Sequence, residues 1–376
     1  MNVLRRLPLS RLLLLCVVVV VVGIGATALA LAVGSGPTPS PKPLADAIHD
    51  GLSAPKPTGV TAHVQLTNHL LEGASLASNG GEASQLSSSP LISGASGRLW
   101  VASDGHARLE LQSEKGDTQI LWDGKTAEMY DASTNTLYRY TPEHPLSTET
   151  TPGGGSPDTG SATSTPTDKV PTVAEIEEHI AKASEHADLS VATPTDVAGQ
   201  AAYTVRVSPR ENGGLIAGAE LSWDANHGNP LRAAIYSTSS SAPVIELAAT
   251  KISYGPPDSS ALEFTPPANA KIQDITLPNS TPSSSSSTGS LEKPHVTVHG
   301  NGLGAIVLAE SPVTAGSKES GVAQLEGLQQ IDVNGTKASE LPTQLGTLLS
   351  FDRAGVRYLL VGSVTPSAIE AFARGL

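Results

Sequence analysis

Five short β-prone runs between Arg98 and Tyr140 constrain the fold more than any other part of the chain: RLWVAS, ARLELQS, DTQILWD, TAEMYD and TLYRYT. Asp104-Gly105, Gly116-Asp117, Asp123-Gly124 and Ser133-Thr134-Asn135 separate them. The runs are too short for helices, and Asp-Gly pairs accept the left-handed backbone that tight hairpins require. Strands spaced this closely pair with their sequence neighbours, so the segment is predicted to be an antiparallel meander.

Alternation continues on either side. Val60, Ala62, Val64 and Leu66 mark one half-buried strand. In DVAGQAAYTVRVSPR (196–210) a turn leads into Tyr203, Val205 and Val207 on one face and Thr204, Arg206 and Ser208 on the other. AELSWDA, the turn Asn226–Asn229, PLRAAIYS and APVIELAATKISYG follow, closing at Phe264–Ala268. This predicts nine or ten antiparallel strands with two helices. Leu44, Ala47, Ile48 and Leu52 give the first helix. The second, over 172–187, opens on a Thr172/Glu175 capping box and carries Val173, Ile176, Ile180 and Ala183 as a narrow apolar stripe. Such a stripe suits a helix lying on a surface or across an opening. Residues 73–97, rich in Ser, Gly and Ala, are expected to be a long loop.

The remaining segments are set by composition. Residues 1–11 are basic, and 12–33 form an uncharged run that would span about 33 Å as a helix, enough to cross a bilayer. Arginines before the run and none after it orient the bulk of the chain outward. The length favours a retained anchor; a cleaved signal peptide is the alternative, given Ala28-Leu29-Ala30 and Ala30-Leu31-Ala32. Residues 34–43 are a Pro-rich spacer. Residues 145–171 hold too few apolar groups to offset ordering entropy and are expected to be a disordered insert. A Ser-rich linker, 276–290, precedes a small domain at 291–376. There HVTVHG, GAIVLAE, LQQIDVNG, TLLSFD and GVRYLLVGSV read as strands, and Thr365-Pro366 starts a final helix.

Charge and residue types exclude several classes of function. After residue 42 there remain 19 basic residues against 36 acidic ones, four of the 23 cations lying earlier. A binder of phosphate backbones needs a basic face, so nucleic acid is not an expected partner. The one cysteine, Cys16, sits in the first apolar run and excludes an intrachain disulfide. His295 and His299 share a strand face without a third ligand, and His179 and His186 lack H-E-x-x-H spacing. Gly300–Gly304 lacks phosphate-loop spacing and reads as a hairpin turn. No G-x-S-x-G or S-x-x-K frames a nucleophile. No catalytic constellation, metal or cofactor is expected, and the chain is read as not an enzyme.

Gly97–Val101 before Asp104-Gly105, Ile120–Lys125 (ILWDGK), Thr136–Tyr140, Val197–Tyr203 (VAGQAAY), Asn229–Arg232 (NPLR) and Phe264–Ala268 occur in that order. In this the chain resembles the LolA-like lipoprotein-carrier superfamily, including two-domain envelope-stress regulators of the RseB type. The resemblance covers about 44–275. It implies an α+β fold: an incomplete antiparallel β-barrel with helices covering its concave face, plus a small C-terminal α+β domain. It also implies that the concave face holds a lipid or lipoprotein acyl chain. The candidate lining is Leu99, Val101, Leu109, Leu111, Ile120, Trp122, Tyr203, Val205, Leu221 and Trp223, with Val173, Ile176 and Ile180 on the helix above. Alternation by itself does not separate such a cavity from a packed core. The expected protein is thus extracytoplasmic and membrane-anchored, binding apolar chains. The alternative is an RseB-like regulator that contacts another envelope protein through its C-terminal domain.

Overall fold

The computed structural model describes residues 36–72, 89–114, 116–142, 170–210, 213–275, 295–313 and 328–376. The anchor or signal segment 12–33, the insert 145–171 (apart from its last two residues) and the linker 276–290 lie outside them. Among the described residues no helix is long and apolar enough to cross a membrane.

Thirteen strands form one open, mostly antiparallel sheet. In chain order they are β1 (Gly59–Asn68), β2 (Ala95–Ala102), β3 (Ala107–Ser113), β4 (Gly116–Trp122), β5 (Ala127–Asp131), β6 (Thr136–Tyr140) and β7 (Ala187–Leu189). Then come β8 (Thr193–Val197), β9 (Gln200–Pro209), β10 (Ile216–Asp224), β11 (Pro230–Ser237), β12 (Pro243–Tyr254) and β13 (Lys271–Ile275). The spatial order is β13-β6-β5-β4-β3-β2-β1-β12-β11-β10-β9-β7, with β8 also paired to β9. The predicted meander is β2–β6, each strand antiparallel to the next. β13 was not foreseen and runs parallel to β6.

The helices are α1 (Leu44–Ser53), α2 (Pro90–Ser93), α3 (Val173–Ala183) and α4 (Ser259–Leu262). α2 and the start of β2 fall where a long loop was expected, because Pro90, Leu91 and Ile92 are hidden at the end of a Ser-rich stretch. The capping box of α3 is present: Thr172 Oγ1 accepts from Glu175 N at 3.3 Å, and Thr172 N donates to Glu175 Oε2 at 2.7 Å. The helix is shorter than expected, since Ala187–Leu189 leaves it to pair with β9 as β7.

Two local features bend and register the sheet. At Gly97 a Cβ would lie 1.8 Å from the Glu110 carbonyl oxygen, so β2 and β3 approach closely only because no side chain is present. Between β8 and β9, Ala198 and Gly199 take φ 56° and 77°, the two-residue turn in which both residues are left-handed. The inner face packs Val60, Ala62 and Val64 of β1 with Leu99, Leu109, Leu111, Ile120, Leu231 and Ile252.

A second sheet of six strands follows: β14 (His295–His299), β15 (Ile306–Pro312), β16 (Gln329–Val333), β17 (Thr336–Thr343), β18 (Gly346–Arg353) and β19 (Val356–Gly362). Their order is β14-β15-β19-β18-β17-β16, and α5 (Pro366–Arg374) crosses one face. Gly300–Gly304 does belong to the connection between the antiparallel pair β14 and β15. β17 is the strand the sequence did not signal, because Lys337, Ser339 and Glu340 interrupt its apolar pattern. The two sheets meet where Leu71 packs on Leu328, Leu341 and Leu348, and Leu215 N donates to Ser363 O at 2.7 Å.

Glu340 shares the α5-covered face with Ala338 and Leu349, is 2% exposed, and its Oε1 finds no hydrogen-bond partner among the described residues. Burial raises its carboxyl above the ordinary range, Glu370 adds to this, and Arg374 opposes it. The folded state therefore holds the proton more tightly than the unfolded chain. Stability contributed by this group is present at low pH and lost as pH rises through the raised value. Glu340→Gln is expected to raise stability at neutral pH and to flatten the loss that the wild type shows in urea denaturation as pH rises above the ordinary carboxylate range. Gly97→Ala is expected to cost about 1–3 kcal/mol by overpacking, measured the same way.

Candidate functional site

The inner face of the half-barrel divides into a filled part and a partly uncovered part. Leu99, Leu109, Leu111 and Ile120 lie in the filled core, where α2 packs against β1, β3 and β4. Val101 is half-buried beside them. Trp122 is half-buried at the far end of the meander, against Ala127, Met129, Tyr138, Tyr140 and Ile275. These residues are contiguous, as alternation predicted, but the most buried of them already contact one another.

Tyr203, Val205 and Trp223 form a separate cluster with Ala47 and Ala192, flanked by Leu44 and Ile48. The helix covering them is thus α1, where the sequence pointed to the helix after the insert. α1 comes close because Gly51 offers only backbone to Trp223; a Cβ there would sit 3.1 Å from the indole. Tyr203 Oη donates to the Ser40 carbonyl at 2.6 Å, drawing the incoming chain onto the same strand. α3 packs on α1, with Ile176 buried and Val173 and Ile180 half-buried. Two amphipathic helices of similar length offer the same pattern, and sequence spacing does not say which one docks first.

Between the α1 end and the α2 end, the register lines up two apolar rows across β9–β12. One runs Val205–Leu221–Ala233–Leu247 and reaches Leu66 of β1. The next runs Val207–Ala219–Ile235–Ile245. The first row is buried at Val205 and Leu66 but Leu221 between them is 38% exposed, and Val207 in the second is 37% exposed. Ala233, Ile235, Ile245 and Leu247 are half-buried. Of this strip the sequence singled out Val205 and Leu221 as lining. Ile235, Ile245 and Leu247 escaped because Ala234, Val244 and Ala248 make the opposite face of the same strands apolar too, which blurs the period of two.

That opposite face carries a buried ionic network. Arg232 Nη1 donates to Glu220 Oε2 at 2.7 Å, Arg232 Nε to Glu246 Oε1 at 2.5 Å, and Arg232 Nη2 to Tyr236 Oη at 2.8 Å. Arg206 Nη1 donates to Glu220 Oε1 at 2.9 Å and its guanidinium lies over the Tyr236 ring. Burial opposes charge on Arg232, but its bonds to Glu220 and Tyr236 outweigh that and hold it more firmly protonated. Burial likewise opposes charge on Glu220, and the bonds from Arg232, Tyr236 and Arg206 depress its carboxyl all the same. At Glu246 burial prevails and the carboxyl is raised. The network pins β9–β12 in register from the outside, which holds the inner rows in line.

The histidines are dispersed. His295 faces Glu310 at 3.1 Å, while His299 bonds Thr297 and its ring lies 4.8 Å from Phe372. Among the described residues no group of three His, Cys, Asp or Glu side chains is arranged to hold a metal.

No protein-family profile matches the chain, and no curated protein matches it in sequence. Among solved structures it is similar to the Pseudomonas aeruginosa MucA/MucB complex, with 14% identity, a TM-score of 0.42, and 88% of this chain and 96% of that one covered. It is also similar to MucB in complex with MucA(peri), at 15% identity and a TM-score of 0.38, covering 88% and 94%. A LolA superfamily protein from Nitrosomonas europaea aligns at 8% identity and a TM-score of 0.18, covering 85% and 90%. These are distant likenesses and say nothing of what this chain binds. The architecture itself is an α+β half-barrel with a second, smaller sheet, the class of fold that the sequence resemblance implied.

Removing Arg232 leaves Glu246 buried without its partner. Arg232→Met is expected to cost about 3–5 kcal/mol in denaturant unfolding, whereas Arg210→Met, at an exposed pair with Asp188, is expected to cost about 1 kcal/mol or less.

Proposed function

We propose that this chain is a non-enzymatic, extracytoplasmic binding protein, held at the membrane through residues 12–33, that takes a lipid or lipoprotein acyl chain on the inner face of its half-barrel. The observation that supports this is the double apolar row across β9–β12, uncovered at Leu221 and Val207 although the first row is buried at both ends, Val205 and Leu66. Contiguous exposed apolar surface marks interaction sites. Each acyl methylene laid on such a strip contributes about 0.8 kcal/mol. The helices do not cover this strip, so a chain can be laid on it without exposing the main core under α1 and α2.

A second reading, a regulator that contacts another envelope protein, is favoured by a different surface. On the face of the second sheet away from α5, Val298, Val307 and Val361 fall in one row, with Val298 43% and Val361 37% exposed. In this reading the partner is another envelope protein, contacted through the C-terminal domain at 291–376.

One pair of variants separates the readings. The full chain, expressed in its host and extracted in mild detergent, is expected to carry acyl-lipid mass in native mass spectrometry. Leu221→Glu is expected to lower that mass roughly tenfold or more, because an ionised carboxylate against methylenes costs at least about 1.4 kcal/mol. Val361→Asp is expected to leave it intact and to lose only a protein partner. Lipid-free wild type, or full occupancy in Leu221→Glu, would reject the acyl-chain reading.

A further inference from the structure

The outer face of the half-barrel holds a polar cleft of about 420 Å³ across β12, β1, β2 and β3. Its side chains come from His63 and Gln65, Ser96 and Arg98, Glu110 and Gln112, and Thr250. It lies on the opposite side of the sheet from the apolar rows and does not depend on the acyl-chain reading. A bulge shapes it: the β1–β12 register shifts between His63 and Val64, so Thr250 is an extra residue and Lys251 is set opposite His63.

The charges in this region are arranged unusually for so acidic a chain. Lys251, His63 and Arg98 stand directly opposite one another on three adjacent strands. Lys251 and Arg98 are thus two cations on one face of the sheet with a single strand between them. The other arginines of this face are neutralised within the protein: Arg108 bonds Glu110, Arg139 bonds Glu128, and Arg206 and Arg232 bond Glu220. Among the described residues neither Arg98 nor Lys251 forms an ion pair, although Arg98 stands directly opposite Glu110 across β2 and β3. The one carboxylate in the cleft, Glu110, is already held by Arg108 Nη2 at 3.3 Å and Gln112 Nε2 at 2.7 Å. Gln65, Ser96 and Thr250 add neutral hydrogen-bonding groups around the same space. The volume falls in the range of small-molecule sites and exceeds what a bare ion fills.

We propose that this cleft binds a small polyhydroxylated molecule bearing an oxyanion, the anion meeting Arg98 within the cleft and drawn by Lys251 just outside its lining, the hydroxyls meeting Gln65, Ser96 and Thr250. Titration calorimetry on the full chain at fixed low ionic strength tests this with glucose 6-phosphate, glucuronate, glucose and inorganic phosphate. One of the two charged sugars is expected to bind at least tenfold more tightly than glucose or phosphate. Arg98→Gln is expected to weaken it at least tenfold and Lys251→Gln severalfold, with unchanged melting temperatures, since neither side chain holds the fold together. Vesicles of phosphatidylinositol in phosphatidylcholine distinguish a lipid headgroup from a free solute: binding to them that Arg98→Gln abolishes, without heat from the soluble sugars, assigns the headgroup. The site is overturned if no charged ligand binds, or if Arg98→Gln binds as wild type does. Phosphate binding as tightly as glucose 6-phosphate would overturn the polyhydroxylated class of ligand.

Discussion

The pairing of β1 with β12 is the constraint on which the rest of the half-barrel depends. It joins Val60 to Tyr254 and Asn68 to Ile245, and so binds the meander β2–β6 to the later strands β9–β12. Contacts this distant in sequence carry a large loop-closure cost, which only a long, well-buried strand can offset. β1 meets that demand with Val60, Ala62, Val64 and Leu66, all buried and all on one face. The bulge at His63 lets the pairing continue while bending the sheet, so a single irregularity shapes both the inner curve and the outer cleft.

The two faces of the sheet are stabilised by different physics. Inside, apolar packing is dense under α2 and under α1, and thins over Leu221 and Ile235, where the helices do not reach. Outside, β9–β12 are tied by Arg206, Glu220, Arg232, Tyr236 and Glu246, a network whose value lies in fixing register as much as in adding stability. A one-residue slip of these strands would turn Leu221 outward and Glu220 inward. The ionic network thus guards the geometry of the apolar strip on the opposite side.

Much of the architecture was legible in the residues. The Asp-Gly turns gave away β2–β6, the Thr172–Glu175 box located the start of α3, and Thr365-Pro366 that of α5. What escaped did so for identifiable reasons. β17 carries the buried Glu340, so its pattern looks solvent-facing, and β13 pairs in parallel at an edge with mostly exposed side chains. Ile235, Ile245 and Leu247 sit on strands apolar on both faces, where alternation conveys no direction. For the candidate site, the sequence named Tyr203, Val205, Leu221 and Trp223, which do share one face. It assigned the wrong helix to cover them.

By itself the sequence determined the classes of element, their order and which residues of most strands share a face, because hydrogen-bonding geometry and side-chain periodicity act over a few residues. It also determined the acidic balance of the chain. The tertiary structure decided which stretches of the shared apolar face are filled and which are left uncovered, and that Lys251, His63 and Arg98 stand in line without an acid between them. Both depend on register between strands far apart in the chain. Register follows from the collective fit of side chains across the sheet, which no local pattern encodes.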